Sequence, residues 1–370
     1  MKQKTKQFIN SFLKRVMSFF LITLIFVGAF SSFVLINENG VLYKKFIGNK
    51  SEIHGVLSLW LVNSYESGFA SKKSYLEKIA LNFEKKNKGL YILISQLTEE
   101  EFIIRKEKEL PDIICFSGNM GKSVRKYLCE LEDNLSVKDC LLDSAKINGV
   151  ELMAYPYSVG GYVLFSTASK LKNAGIELDS SNNLFSKVFS LGYQKKLKNK
   201  VQNVYSVAFG TKNKNKPLQV IKNEANIKGI NCVSNELSYS QNHQKWTGYN
   251  AYESFIVGDS VMLLGTQRDL ARIQTRVSSG KETDVIIEYL SYWTDLVDYV
   301  GVFKGKDSLK VEMSKKFAKF LLTTESQEKL KDVGLFSVIC LNEPLYNDEN
   351  FAKMEISLSY LSNVDNIFNL

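Results

Sequence analysis

Histidine is nearly absent: the 370 residues contain two, His54 and His243, too few for the common His-based zinc centres or nucleophilic triads. Proline is also scarce, at four. No low-complexity tract or repeat of solenoid period accompanies that scarcity, so the chain reads as globular rather than disordered or repetitive. The five cysteines (Cys115, Cys129, Cys140, Cys232 and Cys340) are an odd set with no pair at metal-ligand spacing. They read as buried free thiols and not as a disulfide framework. Acid is missing before Glu38, whereas Lys2, Lys4, Lys6, Lys14 and Arg15 precede it. The formal net charge of +9 is therefore concentrated at the start, and the remainder shows no basic face of the kind nucleic-acid binding needs. Lysine runs at Lys195–Lys200 and Lys212–Lys216 read as solvated loops. There is no G-x-S-x-G, no G-x-x-x-x-G-K-[ST] and no carboxylate pair that stands out, so no catalytic residue, metal site or cofactor is nominated.

One hydrophobic run does stand out. Val16–Ile36 carries no charge and is long enough to cross a bilayer as a helix. Its basic flank predicts a cytoplasmic N-terminus and an exported remainder. A cleaved signal peptide is the alternative, with a small-x-small site at Ala29-Phe30-Ser31; the apolar run continues beyond it to Ile36, which favours an uncleaved anchor. The expected location is the cell membrane, single-pass, with the main domain extracytoplasmic.

Beyond a polar linker, VLSLWLV (Val56–Val62) reads as a buried strand, followed by a loop and a helix carrying Tyr75, Leu76, Ile79, Ala80 and Phe83. Leu90–Ile94 and Leu110–Ser117 read as further strands, and strand–helix–strand order predicts a parallel α/β sheet. Asn148-Gly149 signals a hairpin turn. Tyr249–Val257 reads as a helix stopped at Gly258. Tyr299–Phe303 reads as a strand followed by a helix from about Leu309, and Thr324–Gln327 fits a capping box opening a second helix that Gly334 closes. Asp112, after Pro111, reads as a local backbone cap, and Glu99–Glu101 as a solvated helix start. The run AYPYSVGGYVLFS (Ala154–Ser166) is aromatic enough to be buried, yet Pro156 and Gly160-Gly161 interrupt it.

Five stretches in order carry a resemblance: LWLVNSYESGFASKKSYLEKIALNFEKKN, LPDIICFS, NGVELMAYPYSVGGYVLFS, FIVGDSVMLLG and YVGVFKGKDSLKVEMSKKFAKFLLTTESQEKL. Together they resemble the extracellular solute-binding proteins of ABC importers, in the branch that includes maltose- and oligosaccharide-binding proteins. The resemblance implies an α/β, two-lobed periplasmic-binding-protein-like (type II) fold with a hinge and an interlobe cleft, preceded here by one N-terminal transmembrane helix. The implied organisation is residues 1–15 as a basic cytoplasmic tail, 16–36 as anchor or signal segment and 37–54 as linker. Lobe 1 would be 55–157 with about 300–340, and lobe 2 would be 158–299 with about 341–370. Gly160 and Gly161 fall at the hinge crossing, where positive φ is expected; a glycine bulge in an ordinary hairpin with core tyrosines is the other reading of the same residues. The chain departs from the family pattern at Phe165-Ser166, at LDSSNNLFSKVF after the crossing, and at Gly265-Thr266-Gln267, and its second lobe reads as shortened.

Within that resemblance, ligand sits beyond the carboxyl ends of strands, with aromatic faces for sugar rings and planar polar groups for hydroxyls. The expected ligand-binding residues are Trp60, Asn63, Tyr65, Phe116, Asn119, Tyr157, Tyr162, Trp246, Gln267 and Trp293, with Ser117, Arg268 and Tyr292 beside them. Trp60 reads equally well as core, and Trp246 as a loop anchor. The implied function is the extracytoplasmic solute-binding component of an ABC importer, capturing a sugar or oligosaccharide by lobe closure. Its implied partners are a permease pair and an ATPase, with the membrane reached through the N-terminal helix and no nucleic acid. A membrane-tethered sensor on the same fold and an exported cell-wall enzyme are the alternatives.

Overall fold

The computed structural model describes residues 55–177, 184–187, 194–197, 200–203, 205–210, 217–229 and 246–369. The expected anchor at 16–36, the linker at 37–54 and the Lys212–Lys216 run lie outside the described residues. Among the described residues no helix is long and apolar enough to cross a membrane, and no group of His, Cys, Asp and Glu is placed to hold a metal ion. The chain divides into two compact units, residues 1–56 with 84–92, and residues 57–83 with 93–370. In the first, Gly89 adopts φ 94°, Gly55 N donates to Gly89 O at 3.1 Å, and Ile92 N donates to the Glu84 carboxylate at 2.7 Å.

The strands are β1 (Gly55–Val62), β2 (Leu90–Leu97), β3 (Ile113–Ser117), β4 (Lys146–Ile147), β5 (Glu151–Leu152), β6 (Tyr155–Val159), β7 (Tyr162–Thr167), β8 (Gln194–Leu197), β9 (Lys200–Asn203), β10 (Tyr205–Ala208), β11 (Ser260–Thr266), β12 (Val285–Leu290) and β13 (Val297–Val302). The helices that matter below are α1 (Lys72–Lys86), α2 (Glu99–Arg105), α3 (Gly248–Val257), α4 (Gln267–Ser278), α5 (Ser308–Phe320), α6 (Thr324–Gln327) and α7 (Glu349–Ser359).

The first sheet has the order β2-β1-β3-β13-β6. β1 and β3 are parallel, in register from Leu59↔Ile113 to Val62↔Phe116. β13 runs antiparallel to both β3 and β6, so the sheet is mixed and not the parallel sheet expected. The reason is connectivity: β6 leads directly into the second sheet and β13 returns directly from it, with no βαβ crossover between them. Helix α1 covers this sheet with Tyr75, Leu76, Ile79, Ala80 and Phe83, all buried, and the Phe83 ring meets Phe317 of α5 at 5.3 Å. β6 lies at the sheet edge, where a residue without an N–H is tolerated, and its pairing with β13 is irregular beside Pro156.

The second sheet has the order β10-β11-β7-β12, with β10 parallel to β11 and β7 antiparallel to both its neighbours. Gly160-Gly161 joins β6 to β7, and residues 291–296 join β12 to β13, so two strand pairs cross from one sheet to the other. The crossings are laced together: Gly160 N donates to Leu296 O at 2.6 Å, and Thr294 Oγ1 donates to Gly160 O at 3.0 Å. Phe336 exchanges both backbone hydrogen bonds with Val159, at 3.1 and 2.9 Å.

Three local expectations need correction. The second capping residue is Thr323, whose hydroxyl accepts from Ser326 N, one position before the expected box; Gly334 does close the segment, at φ 72°. Asp112 caps no neighbour, but accepts from Ser58 N and Oγ at 2.8 and 2.9 Å across the sheet. In the Lys195–Lys200 run, expected as a loop, residues 195–197 and Lys200 lie in the antiparallel pair β8 and β9, and 198–199 lie outside the described residues. The Asn148-Gly149 turn forms as expected, with φ of 51° and 72° between β4 and β5, and Glu99–Glu101 opens α2 behind a Thr98 capping box.

Candidate functional site

A cavity of about 350 Å³ opens between the loop that follows β1 and the second sheet. The loop contributes Tyr65 and Glu66. β7 contributes Tyr162, β11 ends beside it at Leu264–Thr266, and helix α4 contributes Arg268, Asp269 and Arg272. Gly210 and the start of α3, Thr247 to Tyr249, complete the wall. Two helices therefore begin at the cavity. Thr247 and Thr266 each close a capping box, so the positive end of each helix dipole faces this space.

The charged groups here are unequal. Asp269 is 4% exposed and fully engaged, with one oxygen accepting from Thr266 N at 3.0 Å and the other from Arg272 Nη1 at 3.1 Å. Burial nonetheless pushes its carboxyl above the ordinary value, against those hydrogen bonds. Glu66 is looser: its side chain is 64% exposed and meets Arg272 Nη2 at 3.3 Å and Arg268 Nε at 3.5 Å. The Arg268 Nε–H is buried and has no hydrogen-bond partner, while Arg268 Nη1 donates to Gly68 O at 2.9 Å. Arg272 also lies over the rings of Tyr249 and Tyr252, at 5.6 and 5.4 Å.

Behind the loop lies a sealed cluster. Asp298 of β13 accepts from Lys72 Nζ at 2.8 Å, Tyr65 Oη at 2.9 Å, Ser117 Oγ at 3.0 Å and Ser158 Oγ at 2.8 Å. The Lys72 ammonium also sits 3.1 Å from the centre of the Tyr65 ring. Desolvation lowers the Lys72 pKa, with Asp298 opposing the shift, and burial raises Tyr65 well above its ordinary value.

No protein-family profile matches the chain, and no curated protein sequence matches it. Solved structures do. The GacH receptor of Streptomyces glaucescens, described in complex with acarbose, superposes with a TM-score of 0.55 at 13% identity, covering 84% of this chain and 88% of its own. The bacterial solute receptor AcbH, described as preferring β-D-galactopyranose, gives a TM-score of 0.56 at 13% identity over 86% and 89%. The maltose/maltodextrin-binding domain from Bdellovibrio bacteriovorus gives 0.55 at 12% over 85% and 89%. The chain has the fold of the sugar-binding solute receptors. That fold is not confined to receptors, since thiaminase I from Bacillus thiaminolyticus shares it at a TM-score of 0.54 and 11% identity, over 84% and 93%.

On this receptor fold the expected ligand residues separate into two groups. Tyr65 and Tyr162 line the cavity, the latter with its hydroxyl donating to Asp295 at 2.7 Å. Trp246 is half-buried and precedes Thr247 of the cavity wall. Gln267 is buried behind the wall as a strap: its Oε1 accepts from Gly161 N at 3.2 Å and its Nε2 donates to Glu66 O at 2.7 Å. The remaining residues are elsewhere. Trp60 packs edge-on against Phe102 of α2 under Arg105, and Phe116 stacks on Tyr299. Tyr157 stacks on Tyr75, and Trp293 donates to Asp365 at 3.3 Å. Asn119 is exposed and donates to Glu99, and Asn63 is half-buried outside the cavity lining, its Oδ1 without a partner. Helix α2 covers Trp60, β13 covers Phe116 and α1 covers Tyr157, which turns these three rings into packing.

The glycine expectation also changes. Neither Gly160 nor Gly161 has positive φ. A Cβ on Gly160 would lie 2.7 Å from Gln267 Oε1, and one on Gly161 would lie 2.9 Å from Met354 Cε. Glycine at 160 allows the close approach of the buried, hydrogen-bonded Gln267 amide, whereas at 161 an added Cβ would meet only the flexible end of Met354; neither serves a left-handed turn. Glu66, Thr247, Tyr249, Asp269 and Arg272 are among the cavity residues that sequence reading missed. The available signal was Arg268-x-x-x-Arg272, two cations one helical turn apart at a predicted cleft loop.

Proposed function

We propose that this chain is the extracytoplasmic solute receptor of an ABC importer, held at the membrane by residues 16–36, and that its solute is a carbohydrate. The observation that carries the reading is the cavity itself. It lies between two sheets joined by paired crossings, and it combines the exposed Tyr249 side chain, beside the buried Tyr65 and Tyr162, with convergent polar groups. That combination suits a ring with one apolar side and several hydroxyls. Sugar-binding receptors with the same fold add support. Hinge bending at Gly160-Gly161 and the neighbouring crossing would close the lobes, solute binding would shift the population toward the closed form, and a permease pair with its ATPase would receive the solute.

A thermal-shift screen of the full-length chain in detergent against mono- and oligosaccharides, amino acids and peptides tests this. A saccharide at 100 times its dissociation constant raises stability by roughly 2.7 kcal/mol and is recovered chemically unchanged. Stabilisation by amino acids or peptides alone would reject the carbohydrate assignment, and turnover of the ligand would reject the receptor assignment.

A further inference from the structure

Resting on the solute-receptor reading, we propose that the solute is an acidic saccharide, whose carboxylate takes the place Glu66 now occupies between Arg268 and Arg272. Two guanidinium groups and two helix N-termini converge on the cavity. Asp269 answers one guanidinium and is locked by its backbone and side-chain hydrogen bonds. Glu66 answers the rest of that positive charge with a single long hydrogen bond, accepted from Arg272 Nη2 at 3.3 Å. It comes from the loop on the opposite wall, it is mostly exposed, and it approaches Arg268 Nε at 3.5 Å without hydrogen-bonding it. A buried guanidinium N–H with an anion over it but no hydrogen bond is an unfilled acceptor position. A ligand carboxylate is planar, accepts two parallel N–H bonds and can reach this position once Glu66 swings out toward solvent. The Tyr249 side chain, 55% exposed on the same cavity wall, provides the apolar face a pyranose needs. Glu66 thus acts as an internal stand-in for the ligand's charge.

The test compares matched pairs on the full-length chain by isothermal titration: glucuronate against glucose, and digalacturonate against its neutral disaccharide counterpart. The acidic member of a pair binds at least tenfold more tightly, and its affinity falls as salt rises from 50 to 500 mM. Glu66→Gln is a surface change that leaves the fold intact, and it tightens the acidic ligand by about two- to fivefold, the range of an exposed ion pair removed from competition. Arg272→Gln and Arg268→Gln each weaken the acidic ligand by a larger factor than the neutral one. Equal or tighter binding of the neutral member overturns the proposal while leaving the receptor reading standing. Weaker acidic binding in Glu66→Gln overturns the displacement, because Glu66 would then be a direct ligand contact. Silence from every saccharide, neutral and acidic, overturns this proposal together with the carbohydrate assignment.

Discussion

Two carboxylate–cation contacts face each other across the Tyr65–Glu66 loop, and they belong to different physical regimes. On the first-sheet side Lys72 and Asp298 are 2.8 Å apart, with side chains 1% and 2% exposed. On the second-sheet side Arg272 and Glu66 are 3.3 Å apart, with side chains 22% and 64% exposed. The same pair of charges is worth about four times more at an effective dielectric constant of 20 than in water. The sealed pair also cannot be traded for water, because every donor around Asp298 already points at it. The open pair can be traded for any anion that fits. One wall of the cavity is thus fixed by chemistry that tolerates no exchange, and the other keeps charges that a ligand can claim.

The sharpest way to break this contrast is to remove Asp298. Asp298→Ala leaves the Lys72 ammonium buried without a counter-charge and frees Tyr65, Ser117 and Ser158 of their acceptor. A loss of about 3–5 kcal/mol is expected by chemical denaturation. The double change Lys72→Met/Asp298→Leu removes both charges and recovers most of it. A single-mutant loss below about 1 kcal/mol would mean that the cluster is as exchangeable as the outer pair.

Trp60→Ala is next in size. The ring packs on Phe102 within the first-sheet layer, so truncation costs about 3–5 kcal/mol of stability through the cavity left behind. Protein that remains folded binds solute with unchanged affinity. An affinity loss of tenfold or more in folded protein would move Trp60 back to the ligand side.

What the sequence disclosed follows the range of the forces involved. Helix α1, the Gly258 stop and the Asn148-Gly149 turn depend on spacing and turn chemistry within a few residues, and all three form as read. The crossing at Gly160-Gly161 was visible because proline and glycine interrupt an otherwise buried run, although the reason for the glycines was not. For Gly160 that reason lies in Gln267, more than a hundred residues away along the chain. Trp60, Phe116 and Tyr157 sit near the carboxyl ends of strands, where ligand would be expected, and nothing local reveals that α2, β13 and α1 cover them. The Glu66–Arg272 contact spans 206 positions and joins two residues that each look like solvated helix or loop charges. Burial of a strand end and pairing of distant charges are tertiary facts, and periodicity carries no information on either.

Gln267 tests the join between the two walls. Its amide links Gly161 N of the crossing to Glu66 O of the loop. Gln267→Ala leaves both backbone groups without that partner, and about 1–3 kcal/mol is expected to be lost. Amide hydrogen exchange at Gly161 should quicken in the empty protein while exchange along β3 stays slow. Unchanged exchange at Gly161 would show that the crossing holds its position without the strap.

The smallest effect is expected where the ligand argument is strongest. In the empty protein, Glu66→Gln removes one carboxylate from two long ion pairs whose solvent exposure screens them, so stability should change by less than about 1 kcal/mol. It leaves intact the Glu66 backbone carbonyl that Gln267 uses, so the strap survives the substitution. The sign is informative as well. Glu66 offsets repulsion between Arg268 and Arg272, and its removal should destabilise slightly at low salt, with the difference vanishing as the Debye length falls from about 10 Å at 0.1 M to about 3 Å at 1 M. Denaturation midpoints of the two proteins across that salt range measure it. A large, salt-independent loss would place Glu66 in the sealed regime with Asp298, and the distinction between a fixed wall and an exchangeable wall would no longer hold.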